Sequence, residues 1–280
     1  MRTLVTGATG RIGSRVVPWL LDQDGDVAVL ARDPGKAAQL SDDGVRVVIG
    51  DLNDDEVVRR ALEDVQAVVH LAAAFRGVGG EETATVTRDA TVRLAEAAVD
   101  AGVERFVFAS TNLVYGPGRG RPAREDDPPA PRGTYPESKA SAEAELGRLH
   151  DDEGLGLRIL RLAFVYGEGD PHLGESLMWA RDWPLHKRLH LVHHADVRQA
   201  LLRALLEDGV DGQTFNVADD APVTAHELLE LNHEPAQADA ADRALDDPWE
   251  GIVDTAKSRA RLGLRPLYPS VYTARDAGVL

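Results

Sequence analysis

Eight residues near the N-terminus, Thr6-Gly7-Ala8-Thr9-Gly10-Arg11-Ile12-Gly13, constrain this chain more than any other feature. They form a Gly-x-x-Gly-x-x-Gly run between a β-branched segment, Thr3 to Thr6, and a segment with apolar residues at helical spacing, Ile12 to Leu21. Gly7 permits a tight turn, Gly10 lets backbone approach an anion, and Gly13 lets the helix pack on the strand. The free N–H groups of the helix N-terminus then face a phosphate. A dinucleotide pyrophosphate suits this arrangement, whereas a Walker-type loop is excluded because no Gly-Lys-Ser/Thr follows.

The same alternation continues through the first two thirds of the chain. Further strands are expected at Val27 to Leu30, Val45 to Ile49, Ala67 to Leu71, Phe106 to Ser110 and Leu157 to Leu162. Helices are expected at Asp55 to Leu62, Thr85 to Ala101 and Ser138 to Leu149. Strand, helix, strand in register predicts an α/β fold built on a doubly wound parallel sheet. After Tyr166 the pattern loosens: Gly116 to Pro136 and Gly167 to Gly174 read as long loops, the kind that carry substrate contacts. Strand and helix character returns at Leu189 to His193, Ala195 to Leu206 and Thr214 to Val217, and a last short helix is expected at Asp254 to Leu262. Residues 1–165 are therefore expected to form the dinucleotide-binding domain, with 189–218 returning to it. Residues 166–280 should form mostly a small, interleaved C-terminal substrate lobe.

Charge and composition narrow the partners. Lys plus Arg number 31 and Asp plus Glu 47, a formal charge of 31 − 47 = −16, which disfavours nucleic acid and anionic membranes. There is no cysteine, so neither disulfides, Cys-ligated zinc nor a Cys nucleophile is available. The 280 residues suffice for a buried core. No run of about 18 apolar residues suggests a membrane span, and Met1 to Thr6 is too short for a secretory h-region. A cytoplasmic protein acting on a small molecule is expected.

A second motif is Tyr135-Pro136-Glu137-Ser138-Lys139. Tyrosine and lysine four apart share a helical face, so an ammonium can favour the phenolate of a group whose ordinary pKa is about 10. Thr111, at the end of a central strand, is placed to hold a substrate oxygen. The same pentapeptide also predicts Thr134 as a helix N-cap with Glu137 as its capping-box partner, while Pro136 disfavours helical geometry at Tyr135. At the end of the second strand, where an acidic residue would hold a ribose diol, the chain has Arg32. Together with Arg11 it favours the 2′-phosphate of NADP over NAD, with NAD the alternative. His186, His190, His193 and His194 cluster in sequence, but strand alternation sends His190 and His193 to opposite faces, so no metal site is expected. His194, at a strand end, is the better candidate to line a substrate cleft. Trp179 and Trp183 read as a packing stripe or the roof of an apolar substrate.

The sequence resembles the extended short-chain dehydrogenases/reductases of the NAD-dependent epimerase/dehydratase type. The likeness rests on the glycine loop, Gly50-Asp51-Leu52, His70-Leu71-Ala72-Ala73, Phe108 through Gly116, Tyr135 with Lys139, Arg161 through Gly167, His193 through Val197 and Phe215 through Asp219. It implies a Rossmann-like fold, Tyr135 as acid/base, Lys139 as its partner and Thr111 as the catalytic hydroxyl. It also implies cofactor contacts from Gly7, Thr9, Gly10, Arg11, Ile12, Gly13, Arg32, Asp51, Leu52, Leu71, Ala72, Ala73 and Ala163, together with Tyr135 and Lys139. Substrate contacts are expected from Phe75, Asn112, Phe164 and His194, and pairing into a homodimer through the helices at Thr85 to Ala101 and Ser138 to Leu149.

Departures from the family pattern are informative. Asn112-Leu113 replaces the Asp-Glu pair that performs elimination in the dehydratases. Phe164 and Thr87 stand where relatives acting on sugar nucleotides usually carry Asn. A smaller or more apolar substrate is therefore expected for an NAD(P)-dependent oxidoreductase moving hydride to or from a carbonyl or carbinol. An epimerase holding NAD tightly and a non-catalytic cofactor-binding sensor are the alternatives.

Overall fold

The computed structural model of the protein describes residues 1–280 except 24, 43 and 74–79, and side chains except those of 41, 42 and 80–86. The chain forms two compact units, which it enters more than once. The first comprises Met1–Ser110, Arg132–Leu160 and Leu201–Thr214; the second comprises Thr111–Pro131, Arg161–Ala200 and Phe215–Leu280.

In the first unit strands and helices alternate: β1 (Arg2–Thr6), α1 (Gly13–Asp22), β2 (Asp26–Ala31), α2 (Pro34–Asp42), β3 (Arg46–Ile49), α3 (Asp55–Ala61), β4 (Ala67–His70), α4 (Gly80–Asp100), β5 (Arg105–Thr111), α5 (Thr134–Glu153) and β6 (Leu157–Leu162). Then follow β7 (Phe164–Tyr166), α6 (His172–Glu175), α7 (Leu177–Ala180), β8 (Arg188–Leu189), β9 (Leu191–His193), α8 (His194–Leu206), β10 (Gln213–Val217), β11 (Val223–Thr224), α9 (Ala225–Leu231), α10 (Ala256–Arg261) and α11 (Val271–Asp276). The main sheet has seven strands in the order β10-β6-β5-β4-β1-β2-β3. β1 pairs in parallel with β2 and β4, placing Thr6 opposite Leu30 on one side and His70 on the other. Strand order reverses at β1 and β4, and in such sheets ligands bind in the crevice beyond the carboxyl ends of the strands at that switch. β2, β4 and β6 are buried almost throughout, as expected of parallel strands covered on both faces. The core of this unit gathers Phe106 and Phe108 of β5 with Leu94 of α4 and Leu146 and Leu149 of α5.

One charge is buried within β6. Arg158 is 2% exposed and its Nη2 lies 2.8 Å from Asp211, while its Nε and Nη1 find no partner among the described residues.

The second unit has two small two-stranded sheets, β7 parallel to β9 and β8 antiparallel to β11. Tyr166, Leu191, Val223, Leu228, Val271 and Ala274 form its core. The expected continuous strand Leu189 to His193 is broken at His190. Its carbonyl accepts from Phe164 N at 3.0 Å and its ring bonds Asp219 O and Val253 N, so β8 and β9 serve different sheets. Helices α2, α9 and α11 escaped the periodicity, being too short to show a repeat.

The helix carrying Tyr135 begins earlier than expected. Its N-cap is Gly133 (φ 93°), not Thr134, and Glu137 Oε1 accepts from Gly133 N at 3.1 Å. Tyr135 and Pro136 lie in the first turn, where backbone N–H groups have no intrahelical partner and proline costs little.

Candidate active site

The glycine loop turns back on itself directly after β1. Gly10 N donates to Gly7 O at 3.0 Å, and Ser14 N to Gly10 O at 2.9 Å. Gly7 has φ +72°, and a Cβ there would sit 2.7 Å from Ala72 N; one on Gly13 would sit 2.2 Å from Gly7 O. Gly7 is thus the glycine that admits the end of β4, and Gly13 the one that lets the loop close on itself. Thr9, Gly10 and Arg11 are exposed, Ile12 is half-buried, and no side chain caps α1. A helix N-terminus reached by closely approachable backbone fits a dinucleotide pyrophosphate.

The next strand ends supply the remaining expected cofactor contacts of this unit. Arg32 is exposed at the end of β2, and the following Asp33 uses its carboxylate to accept from Gly35 N (2.9 Å) and Lys36 N (3.2 Å), capping α2. Asp51 is exposed and accepts from Asn53 N and Nδ2, while Leu52 packs against the core. Leu71 and Ala72 are half-buried and Ala73 exposed beyond β4. Phe75 lies outside the described residues.

Tyr135 and Lys139 share one face of α5. Tyr135 is half-buried, and burial pushes its phenol up to about 12. Lys139 is 1% exposed; its Nζ donates to Ala109 O at 2.8 Å and lies 4.5 Å from the centre of the Phe108 ring. Burial pushes this ammonium down to about 7, against the upward pull of Glu143. At neutral pH the phenol therefore holds its proton and is poised to donate it.

Two polar linkages in this unit were not anticipated. Ser110 Oγ donates to Glu143 Oε1 at 2.5 Å, joining β5 to α5. His70 bridges Thr6 Oγ1 (2.6 Å) and Thr91 Oγ1 (2.8 Å), and Thr91 in turn donates to Thr87 O. Because the Thr91 hydroxyl proton is committed to Thr87, His70 Nε2 is the donor to Thr91 and Nδ1 accepts from Thr6. Burial, then Lys139, pushes His70 down to about 3, so its ring is neutral. Signals for both existed: Glu143 stands four residues after Lys139, and His70 is a polar residue inside an apolar strand run.

In the second unit Thr111 is 7% exposed and its Oγ1 accepts from Leu113 N at 3.3 Å, leaving its hydroxyl proton to donate. Asn112 Nδ2 donates to Gly251 O at 2.7 Å. Ala163 is buried, donating its N–H to Val217 O. Phe164 is half-buried and stacks on His172 (ring centres 3.9 Å apart), with Trp179 edge-on at 6.0 Å and Trp183 beyond it. His194 is buried with Nε2 2.7 Å from Asp170 Oδ2. His190 and His193 bond to different carbonyls, those of Asp219 and Val279, and His186 is exposed. Several motif residues do structural work. Tyr115 donates to Asn216 Oδ1 (2.7 Å), Arg161 lies 4.7 Å over the Tyr115 ring, and Asn216 bonds Ala123 O, Asp254 O and Glu125.

A parallel sheet with a glycine loop after β1 and a Tyr-Lys pair on α5 places the chain in the short-chain dehydrogenase/reductase class of folds. The model of the NAD-dependent epimerase/dehydratase family matches residues 3–218, and the chain belongs to that family. UDP-glucose 4-epimerase of Vibrio cholerae is 34% identical over 184 residues, which cover 62% of this chain. That stretch is 55% of the Vibrio protein, so the chain spans little more than half the length of this curated relative. A 4-hydroxy-2-methyl-3-oxo-4-farnesyl-3,4-dihydroquinoline-1-oxide ketoreductase of Stigmatella aurantiaca is 27% identical, covering 93% of this chain and 84% of its own. The crystal structure of Thermus thermophilus UDP-glucose 4-epimerase in complex with NAD superposes with a TM-score of 0.78 at 29% identity, covering 98% and 97% of the two chains. Among the described residues, no helix is long and apolar enough to cross a membrane.

Proposed function

We propose that this protein is an oxidoreductase in which hydride passes between a nicotinamide and a carbonyl or carbinol carbon of a small or apolar substrate while Tyr135 exchanges the proton. The observation that carries this reading is the placement of Tyr135, its phenol pushed up to about 12, and of the buried amine of Lys139 on the same face of α5. A neutral phenol gives its proton to the oxygen of a carbonyl being reduced, and the neighbouring ammonium offsets the phenolate left behind. The family resemblance makes Thr111 the catalytic hydroxyl, and its proton is available to donate. A bound nicotinamide dinucleotide supplies the hydride acceptor and donor. Residues Gly7 to Gly13 would hold its pyrophosphate; Arg32, Asp51, Leu52, Leu71 to Ala73 and Ala163 are the further cofactor contacts of this reading. Residues 1–165, with 189–218 returning to them, read as the dinucleotide-binding domain, and 166–280 mostly as the substrate lobe.

The apolar-substrate reading is supported by Phe164, whose ring continues through His172 and Trp179 to Trp183. Asn112 and His194 are further substrate contacts of this reading, Asn112 held by Gly251 O and His194 by Asp170. Tyr135→Phe is expected to lower turnover at least about a hundredfold while dinucleotide binding, followed by fluorescence quenching, persists; undiminished turnover removes Tyr135 from the chemistry. NADP is the favoured dinucleotide because the residue after β2, the position that reads the ribose 2′ group in dinucleotide folds, is an exposed Arg32, while Asp33 is occupied in capping α2. Arg32→Asp should weaken NADP far more than NAD, and equal losses by titration calorimetry would reject that assignment.

A second reading, an epimerase that oxidises and re-reduces its substrate, is favoured by the Vibrio and Thermus relatives, both named UDP-glucose 4-epimerase. Stoichiometric NADPH consumption supports the reductase, and dinucleotide that co-purifies without exchange supports the epimerase. The protein further reads as a cytoplasmic homodimer paired through α4 and α5, which sedimentation velocity tests.

A further inference from the structure

Tyr135, Lys139 and Glu143 stand at four-residue intervals on α5 and so form one stripe along the helix. The third member is only 7% exposed. A carboxylate removed from water is costly unless it is hydrogen-bonded and paired. Glu143 takes its hydrogen bond from Ser110, the residue after the carbonyl on which Lys139 rests, so consecutive residues of β5 fix both side chains. Ser110 contributes no charge, and on the helix Lys139 stands one turn before Glu143.

The groups facing Lys139 come from four elements. α5 contributes Tyr135 and Glu143; β5 contributes the Ala109 carbonyl, the Phe108 ring and the Ser110 hydroxyl. β4 contributes His70, neutral and bonded to the Thr91 hydroxyl of α4. α4 also carries Arg88, which pairs with Glu145 on α5, two residues past Glu143. Among the described residues, Glu143 is the carboxylate that acts on Lys139.

We propose that Glu143 is a positioning residue of the Tyr135–Lys139 pair: a buried anion, held by the Ser110 hydroxyl, that keeps the Lys139 ammonium charged and seated on the Ala109 carbonyl. Burial alone drives Lys139 toward the neutral amine, which offers no charge to a phenolate. The role rests on Tyr135 and Lys139 acting as proposed above, but it is testable on Lys139 alone.

The chain has four lysines, at 36, 139, 187 and 257, so carbon-labelled lysine NMR resolves each one in the cofactor-free protein, with Lys139→Arg assigning the signal. In Glu143→Gln, which keeps an acceptor for Ser110, the Lys139 midpoint falls by about one pH unit. Glu143→Asp, which keeps the charge, retains most of the native value. In the assembled enzyme the alkaline limb of the pH–rate profile moves down with it. An unmoved midpoint in the Gln variant, or equal shifts in Gln and Asp, overturns the proposal. If the Gln variant does not fold, Glu143→Met fills the same space without charge and the same outcomes apply. Turnover lost in Tyr135→Phe with an unmoved Lys139 midpoint defeats only the Glu143 role; turnover kept in Tyr135→Phe defeats the acid/base reading instead.

Discussion

Two regions bury polar groups in opposite ways: the face of α5 in the first unit and the surroundings of Tyr166 and Asp219 in the second. Beside α5, the buried groups are chained: Thr6 to His70 to Thr91 to Thr87, and Ser110 to Glu143 with Lys139 on Ala109 O. In the second unit the Tyr166 hydroxyl and Asp219 Oδ2 are enclosed with no hydrogen-bond partner among the described residues, and burial pushes Asp219 up to about 8. Partnered groups can stay charged or keep one tautomer inside a protein; unpartnered ones give up their charge. The first unit therefore holds a lysine that changes charge near neutrality, whereas the second holds a carboxylic acid that is largely neutral at pH 7.

The contrast can be broken at four places. The largest effect is expected for Lys139→Met, which removes the cation while keeping its volume: turnover should fall about 10²–10⁴-fold with the fold intact by circular dichroism. Next is Thr91→Val, which strips the acceptor from His70 Nε2. Leaving that donor enclosed should cost about 1–3 kcal/mol in urea unfolding, and no loss would mean the chain of bonds is dispensable. Asp219→Asn sharpens the other side. A carboxyl whose folded pKa is raised destabilises the fold above its unfolded value near 3.8, and the penalty grows until pH passes about 8. The variant should therefore gain on the native protein by about 2–6 °C in Tm at pH 8 and by nothing at pH 4; a pH-independent difference would remove Asp219 from the account. The smallest effect is expected for Tyr166→Phe, because the hydroxyl it deletes has no partner among the described residues. Its unfolding free energy should match or slightly exceed that of the native protein, while a loss above about 1 kcal/mol would reveal a bond to that hydroxyl.

Much of the first unit was legible because its strands are continuous apolar runs and its helices repeat apolar residues at helical spacing. The second unit was less so. α9 and α11 are too short to show a period, yet both carry capping boxes, Thr224 with Glu227 and Ser270 with Thr273, and Thr-x-x-Glu is readable from sequence alone. α2 offered only Asp33 before Pro34 as a signal. Tyr135 and Lys139 could be found because their chemistry depends on local spacing. Glu143 could not, because its burial depends on Ser110, 33 residues away in sequence. The helix start at Gly133 was missed because side-chain capping was assumed, where a glycine backbone at φ 93° turns the chain instead.

The strand order also has a consequence during synthesis. β6 ends at Leu162 and its outer neighbour β10 begins at Gln213, so on the ribosome the strand waits about fifty residues, several seconds at ordinary elongation rates, for the segment that covers it. An uncovered apolar edge invites pairing with another nascent chain, and a charge pointing from that edge discourages it. Arg158 sits in β6, and its partner Asp211 arrives with the covering segment. A charge in that strand would discourage such pairing while the edge is open, and Asp211 pairs with it once the edge is covered.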